Sequence, residues 1–171
     1  MLLCRALCTL LVASLTACAS TPSTPPAAPP PDFTLGITVV VRENPQIDKD
    51  PRTVARPYRP GRYILEPDGQ LRVAIGTGAR PGTYPPAMRR LTPAQRDEIW
   101  NLALKAGYLG IPREDSIDPE VAPVVVSRPT ALVYIVADAA RRGTQVTLDA
   151  PNADPTRMLI DRLAELAWVE K

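Results

Sequence analysis

The chain lacks histidine altogether, and its three cysteines all lie within the first 18 of its 171 residues. Without histidine, neither a Ser-His-Asp triad nor a Cys-His pair can form, and the imidazole ligands common at zinc sites are missing as well. Beyond position 18 the sequence offers no thiol for a disulfide, a nucleophile or a metal. These absences exclude the commonest nucleophilic and zinc-dependent enzymes.

Aromatic residues are scarce, at 5% with one phenylalanine, whereas proline is abundant, at 21 residues. An average chain of this length would hold about nine prolines. Hydrophobic residues make up 45% of the sequence, which is enough for one buried core. The composition therefore predicts one globular domain with proline-rich additions.

The first 17 residues have the composition of a secretory signal peptide. Arg5 gives a short positive segment, and 12 apolar or small residues follow from Ala6 to Ala17. A transmembrane helix needs about 20 apolar residues, so this run is too short to span a bilayer stably. We therefore predict that residues 1–17 direct export and are then removed.

The signal ends in Leu15-Thr16-Ala17-Cys18, which resembles the lipobox of bacterial lipoproteins. The resemblance implies a diacylglyceryl group on the Cys18 thiol, cleavage before Cys18 and attachment of the protein to a membrane. One acyl chain binds a bilayer reversibly, whereas two or three anchor a protein stably. In Gram-negative members of the family an aspartate after the cysteine favours the inner membrane, so Ala19 implies the outer membrane of such an organism.

An alternative processing site overlaps the lipobox. Ala17-Cys18-Ala19 fits the A-x-A pattern that ordinary signal peptidase cleaves. Cleavage there would release a soluble protein without cysteine, and the two sites therefore predict opposite attachments. The lipobox fits better in both position and flanking composition.

Residues 18–32 form the lipidated cysteine and a proline-rich tether. Ala19–Pro31 holds six prolines and no charged residue. Proline lacks a backbone N–H donor, so this stretch can form neither a helix nor a central strand. As polyproline II it would reach about 40 Å. The sequence therefore predicts a spacer between the membrane and a folded domain.

Residues 33–171 are predicted to form that single domain. Apolar residues alternate along Leu35–Arg42, which is typical of a strand with one buried face. The strands Arg62–Glu66 and Gln70–Gly76 flank a Pro-Asp-Gly turn. A second hairpin is expected from Ala131–Asp138 and Thr144–Asp149, turning within Ala-Ala-Arg-Arg-Gly.

The first of two predicted helices has clear signals at both ends. Thr92 and Gln95 fit a capping box with Pro93 at the first helical position, and Gly107 fits a helix stop. Helical spacing also relates four apolar residues between these signals. They are Ile99, Leu102, Ala103 and Ala106.

The second helix is expected to start with Asp154 as its cap and Pro155 at the first position, and to run to about Val169. Its inward stripe is Leu159, Leu163 and Leu166. Both tryptophans, Trp100 and Trp168, fall within the predicted helices, so we expect core or helix-packing roles for them rather than the alternative of a sugar-stacking site. The order of elements predicts an α+β fold, a mostly antiparallel sheet of about five strands with two helices on one face.

Charge is divided unevenly along the domain. Residues 51–96 hold nine arginines and two acidic residues, a formal charge of +7, whereas residues 97–171 hold eight bases and twelve acids, a charge of −4. One interpretation is a surface patch for anionic lipid headgroups, lipopolysaccharide or an acidic protein. The alternative is that the two halves pair with each other. The residues of this patch are Arg52, Arg56, Arg59, Arg62, Arg80, Arg89 and Arg90.

Two further segments carry motif-like composition but predict no site. Gly76–Gly82 is glycine-rich, yet prolines prevent the helix that a phosphate loop needs directly behind it. Arg113–Glu120, the acidic loop, lacks the ligand spacing of a calcium loop, so we expect it to be solvated. No pair of carboxylates has a spacing that indicates an acid and base. We therefore predict no enzyme, no cofactor and no metal.

The folded part resembles emfourin-like bacterial metalloprotease inhibitors in the order of its elements and in its helix ends. The stretches that carry the resemblance are Gly36–Arg42, Leu91–Pro112, Ala131–Ala150 and the final helix. The long loop from Glu43 to Gly61 departs from that family, so no inhibitory residue is transferred. The resemblance implies a non-enzymatic module that binds a protease.

These observations predict a membrane-anchored lipoprotein on the exported side of the cell envelope. Its domain is expected to be a non-catalytic binding module, and nucleic acid is an unsuitable partner for an exported chain. The alternatives are a passive structural envelope lipoprotein, an emfourin-like inhibitor, or an enzyme that uses carboxylates alone.

Overall fold

The computed structural model of the protein describes residues 28–41, 50–121 and 127–169. It confirms the α+β class and has six strands where about five were expected. In chain order the strands and helices are β1 Thr34–Val40, β2 Gly61–Leu65, β3 Gln70–Ile75, β4 Ala87–Arg90, α1 Pro93–Lys105, β5 Thr130–Ala137, β6 Ala140–Thr147 and α2 Asp154–Leu166. All six strands form one antiparallel sheet in the order β4-β3-β2-β1-β5-β6.

Strand β1 lies at the centre of the sheet and is buried on both faces. Leu35, Ile37 and Val39 point to one face and are at most 1% exposed. They join a single core cluster with residues of α1 and α2, so both helices cover the same face. Gly36 and Thr38 point to the opposite face, which we call the outer face.

Helix α1 forms as its end signals predict. The Gln95 N–H donates to Thr92 Oγ1 at 3.3 Å, and the Thr92 N–H donates to Gln95 Oε1 at 3.0 Å, which completes the capping box. Gly107 follows the helix with φ 78°, a left-handed conformation that glycine adopts without a steric cost. Ile99 and Ala103 are fully buried against the sheet.

Helix α2 differs from its prediction at both ends. Asp154 is the first helical residue rather than the cap, and Ala153 takes the cap position without a side-chain hydrogen bond. The Asp154 carboxylate pairs instead with Arg157, one turn further along the helix. The helix ends at Leu166, three residues before the expected end.

The turn of the second hairpin is also placed differently from its prediction. It consists of Asp138 and Ala139, with φ 52° and 58°, as in the type I′ turns that match the twist of paired strands. Residues expected in the turn, Ala140 to Gly143, are instead the start of β6 and pair with β5. The turn is therefore two residues long and lies earlier in the chain.

The outer face is closed by an aromatic ring and by the acidic loop. Tyr134 on β5 pairs with Gly36 on β1 and with Gly143 on β6. A Cβ on Gly36 would lie 2.0 Å from the Tyr134 ring, and a Cβ on Gly143 would lie 2.2 Å from the Ile117 carbonyl oxygen. Both glycines are therefore required because another group occupies the space of their side chains.

We expect Gly36→Ala to destabilise the protein by about 1–3 kcal/mol, because the new methyl group overlaps the Tyr134 ring. Urea unfolding of the variant and the wild type measures the loss. Gly110→Ala is the matched control, since no atom lies within 4 Å of a Cβ built at Gly110. An equal loss in both variants would show that the ring contact is not the cause.

Candidate functional site

The end of the proline-rich tether is held against the domain. Arg96 on α1 donates from Nη2 to the carbonyl oxygen of Pro30 at 2.8 Å and to that of Pro31 at 3.4 Å. Phe33 is fully buried and packs edge-on against Trp100, with ring centroids 4.9 Å apart. The chain thus enters the domain at a fixed place, beside the start of β1 and the start of α1.

A second contact fixes this entry point from the other side. The Asp32 carboxylate accepts hydrogen bonds from the backbone N–H groups of Asp138 at 3.0 Å and Ala139 at 2.6 Å. The Ala139 bond, with a smaller contribution from Asp138, lowers the pKa of Asp32 below its usual value. One carboxylate therefore serves the two N–H groups of the tight turn and joins it to the tether.

The seven arginines predicted to form an anionic-partner patch do not form one surface. Arg56, Arg59 and Arg62 are 9%, 2% and 3% exposed, so the prediction is wrong for these three. Arg56 donates to both carboxylate oxygens of Asp161 on α2, at 2.8 and 3.2 Å. Arg59 donates from Nε to the Val54 carbonyl oxygen at 2.8 Å. The Arg56 pair therefore binds the proline-rich loop to α2, whereas the Arg59 bond lies within that loop.

The other four arginines lie on three segments, with Arg89 and Arg90 adjacent on β4. Arg52 and Arg90 each pair with a nearby aspartate, at 3.0 and 2.6 Å. Arg80 is exposed in the loop between β3 and β4. Arg89 is half-buried and stacks on the Trp168 indole, with its guanidinium carbon 4.4 Å from the ring centroid. These positions favour pairing within the protein over one basic face.

Arg62 is 3% exposed and organises the outer face. Its Nη2 donates to both carboxylate oxygens of Glu120, at 2.9 and 2.8 Å, and its Nη1 donates to Thr38 Oγ1 at 2.7 Å. The Gly82 N–H also donates to Glu120, at 2.8 Å. One carboxylate therefore joins the sheet to the loop between β3 and β4.

The acidic loop is not solvated along its whole length, contrary to its prediction. Besides Glu120, whose side chain is 19% exposed, Asp118 pairs with Arg141 on β6 at 3.0 Å. Ser116 Oγ accepts from the Gly143 N–H at 2.8 Å, and the Ile117 N–H donates to the Gly143 carbonyl oxygen at 3.0 Å. The loop thus covers part of the free edge of β6, a location where an unpaired strand invites aggregation.

Trp168 is the exposed residue that sequence reasoning placed wrongly. Its side chain is 65% exposed, whereas Trp100 is 5% exposed and belongs to the core. The signal that would have found it is helical periodicity, because Trp168 lies two residues after Leu166, about 200° around the helix from the buried stripe. With α2 ending at Leu166, the indole projects beyond the helix.

Two buried tyrosines, Tyr63 and Tyr108, lie close to residues of α2. Burial raises the pKa of Tyr63 and of Tyr108 to about 12, so both stay protonated at neutral pH. Tyr108 shares a hydrogen bond of 2.7 Å with the Thr156 hydroxyl.

Among the described residues, no group of three His, Cys, Asp or Glu side chains is placed to hold a metal ion. No helix in that part of the chain is long and apolar enough to cross a membrane.

Removing Glu120, the partner of the buried Arg62, is expected to lower the free energy of unfolding far more than removing Asp118 from its exposed pair with Arg141. Glu120→Ala leaves the Arg62 guanidinium enclosed without its counter-ion, which should cost about 3–5 kcal/mol. Asp118→Ala removes the partner of Arg141 from a pair whose side chains are 45% and 47% exposed, which should cost at most about 1 kcal/mol. Urea unfolding compares the two variants, and similar losses would contradict a special role for the Arg62 pair.

The contact between tether and turn is expected to depend on pH. Asp32 holds the turn N–H groups as a carboxylate, so the contact is complete above the usual carboxyl pKa of 3.8 and is lost as the pH falls through the lowered pKa. The amide NMR shift of Ala139, followed from about pH 5 to about pH 2, should change with a midpoint below 3.8. The same change in the Asp32→Asn protein would assign the titration to another group.

Comparison with known proteins gives this arrangement no family. No family model matches the chain, and no curated protein matches it. The lipobox and the likeness of the folded part to emfourin-like inhibitors therefore stay predictions from the sequence, and the fold itself is described by its own sheet order and helix positions.

Proposed function

We propose that this chain is a lipid-anchored protein on the exported side of the bacterial cell envelope, and that its α+β domain is a non-catalytic binding module. The observation that carries the proposal is Cys18, the last cysteine of the chain, which ends a short apolar signal within Leu-Thr-Ala-Cys. The thiol is then a lipid attachment point. Ala19 favours the outer membrane if the organism is Gram-negative.

The way the tether joins the domain supports this proposal. The covalent chain attaches the domain in any case, and contacts at the far end of the spacer fix where on the domain it emerges. The backbone carbonyl of Pro30 and the carboxylate of Asp32 are both bound by the domain, and Phe33 is buried directly after them. The domain therefore holds the spacer from Pro30 onward, and Ala19–Pro29, most of which lies outside the described residues, would reach about 34 Å as polyproline II.

A binding role is favoured over catalysis by what the charged residues do. The sequence beyond Cys18 supplies neither thiol nor imidazole. Arg56 binds the proline-rich loop to α2, Arg59 donates within that loop, and Arg62 binds the acidic loop to the sheet. These three enclosed arginines are unsuited to an anionic partner, and the partner we propose for the module is an envelope protein.

Labelled palmitate tests the anchor in cells that express the full chain. We expect the wild type to incorporate label and to sediment with membranes, and Cys18→Ser to lose both, because the thiol is the acylated group. Cys8→Ser is the matched control, since Cys8 lies inside the predicted signal and should leave labelling unchanged. Label and membrane association that survive Cys18→Ser would refute the lipoprotein assignment.

The same cells test the binding role. Cross-linking of the anchored wild-type protein in intact cells should yield one discrete product that is lost when excess unlabelled domain competes. Repeated recovery of no discrete product would favour the alternative of a passive structural lipoprotein.

A further inference from the structure

The strand register places the tether and Arg89 at the same end of the sheet. Leu35 pairs with Leu65, Leu65 with Leu71, and Leu71 with Arg89, so these four residues form one row across β1, β2, β3 and β4. Neighbouring strands lie about 4.8 Å apart, which puts Arg89 about 14 Å from Leu35. The tether enters the domain just before Leu35, at Phe33.

Other segments meet at this end of the domain, which we call the tether rim. The Leu91 N–H donates to the Gly69 carbonyl oxygen at 2.8 Å, and Arg89 Nη1 reaches the Leu166 carbonyl oxygen at 3.4 Å. The end of α2 therefore lies beside β4 at the rim. The rim consists of residues 28–34, 66–70, 89–97, 136–142 and 166–169.

Trp168 occupies a rim position where helices usually carry glycine. The Val169 N–H donates to the Ala164 carbonyl oxygen at 2.9 Å, and the Trp168 N–H to that of Glu165 at 3.0 Å. This pair of bonds is a Schellman motif, and its left-handed residue is Trp168, with φ 55°. Any side chain is energetically unfavourable in this left-handed conformation. Because the Trp168 side chain is 65% exposed, its burial contributes little to offset that cost.

The indole is nevertheless held in one orientation. The Arg89 guanidinium covers one face of the ring, 4.4 Å from its centroid, and leaves the rest of the indole open. A large ring kept exposed at a strained position, with its inner face supported, is suited to contact with something outside the domain. Indoles are enriched at the interface between lipid headgroups and acyl chains, because one edge is polar and the rest is apolar.

We propose that the tether rim lies against the phospholipid surface and that the Trp168 indole enters the headgroup interface. The proposal rests on the lipid anchor proposed above. A tether that leaves from the rim lets the rim approach the bilayer directly, whereas a tether from the opposite end would have to run the length of the domain.

The charge of the rim predicts what kind of membrane contact this is. The rim ranges contain five arginines and five acidic residues, so they carry no formal net charge. Contact through the indole then needs no anionic lipid and is insensitive to salt, since salt screens only the attraction between charges. This distinguishes it from adhesion through a basic patch.

Tryptophan fluorescence of the full lipidated chain in phosphatidylcholine vesicles tests the contact. Replacing ordinary lipid by lipid brominated on its acyl chains should quench part of the wild-type emission, equally in low and in high salt. Trp168→Gly should lose this quenching entirely, because the remaining Trp100 is 5% exposed in the core. Glycine suits the left-handed position, so the variant should fold with a thermal midpoint no lower than that of the wild type.

Met158→Ala is the control for loss of any exposed apolar side chain. Met158 is 58% exposed on the same helix, ten residues before Trp168 and thus about 15 Å further along the axis, and its loss should leave quenching unchanged. Vesicles that float with the protein but show no quenching would overturn the rim contact and leave the anchor standing. A protein that does not float at all would overturn both. Quenching that persists in Trp168→Gly, or that disappears in high salt, would overturn the role of the indole.

Discussion

The guanidinium of Arg62 must have a carboxylate, because it lies enclosed on the outer face of the sheet where water cannot solvate its charge. That requirement brings Glu120 across the sheet and with it the acidic loop. The loop then occupies the space over Gly143 and covers part of the edge of β6, while Gly82 attaches the loop before β4 to the same carboxylate. Three segments far apart in sequence are thus arranged around one charge.

The features that sequence predicts correctly are those whose partners are close in sequence. Thr92 and Gln95 satisfy each other across one turn, and Gly107 stops α1 by its own backbone freedom. The turn of the second hairpin depends instead on Asp32, more than 100 residues away, so the local sequence around Ala140 was misleading. Strand β4 has only four residues with prolines before it, too few for a periodic pattern to be recognised.

The candidate sites follow the same division. Cys18 lies outside the described residues, and its local motif predicts lipid attachment without reference to the fold, so this site stays a prediction. A run of arginines predicts a basic surface only if no carboxylate reaches them, and Asp161 and Glu120 do so from distant segments. The exposure of Trp168 depended on where α2 ends, and a helix end without a glycine stop gives a weak signal. Composition alone therefore cannot predict which arginines are exposed, because that depends on charge pairing, or whether Trp168 is exposed, because that depends on where α2 ends.

With the lipid anchor proposed above, a pull through the tether would reach the central strand β1 first, because the chain passes from the tether directly into it. β1 is bonded to β2 over five residue pairs and to β5 over seven, and both neighbours run antiparallel to it. A force along the strand axis loads these bonds together in shear, whereas an edge strand pulled sideways would peel away one bond at a time. The Asp32 and Arg96 contacts lie ahead of the strand and would yield first. The two hydrogen-bonded ladders of β1 would therefore resist a pull on the tether more strongly than the single ladder of an edge strand.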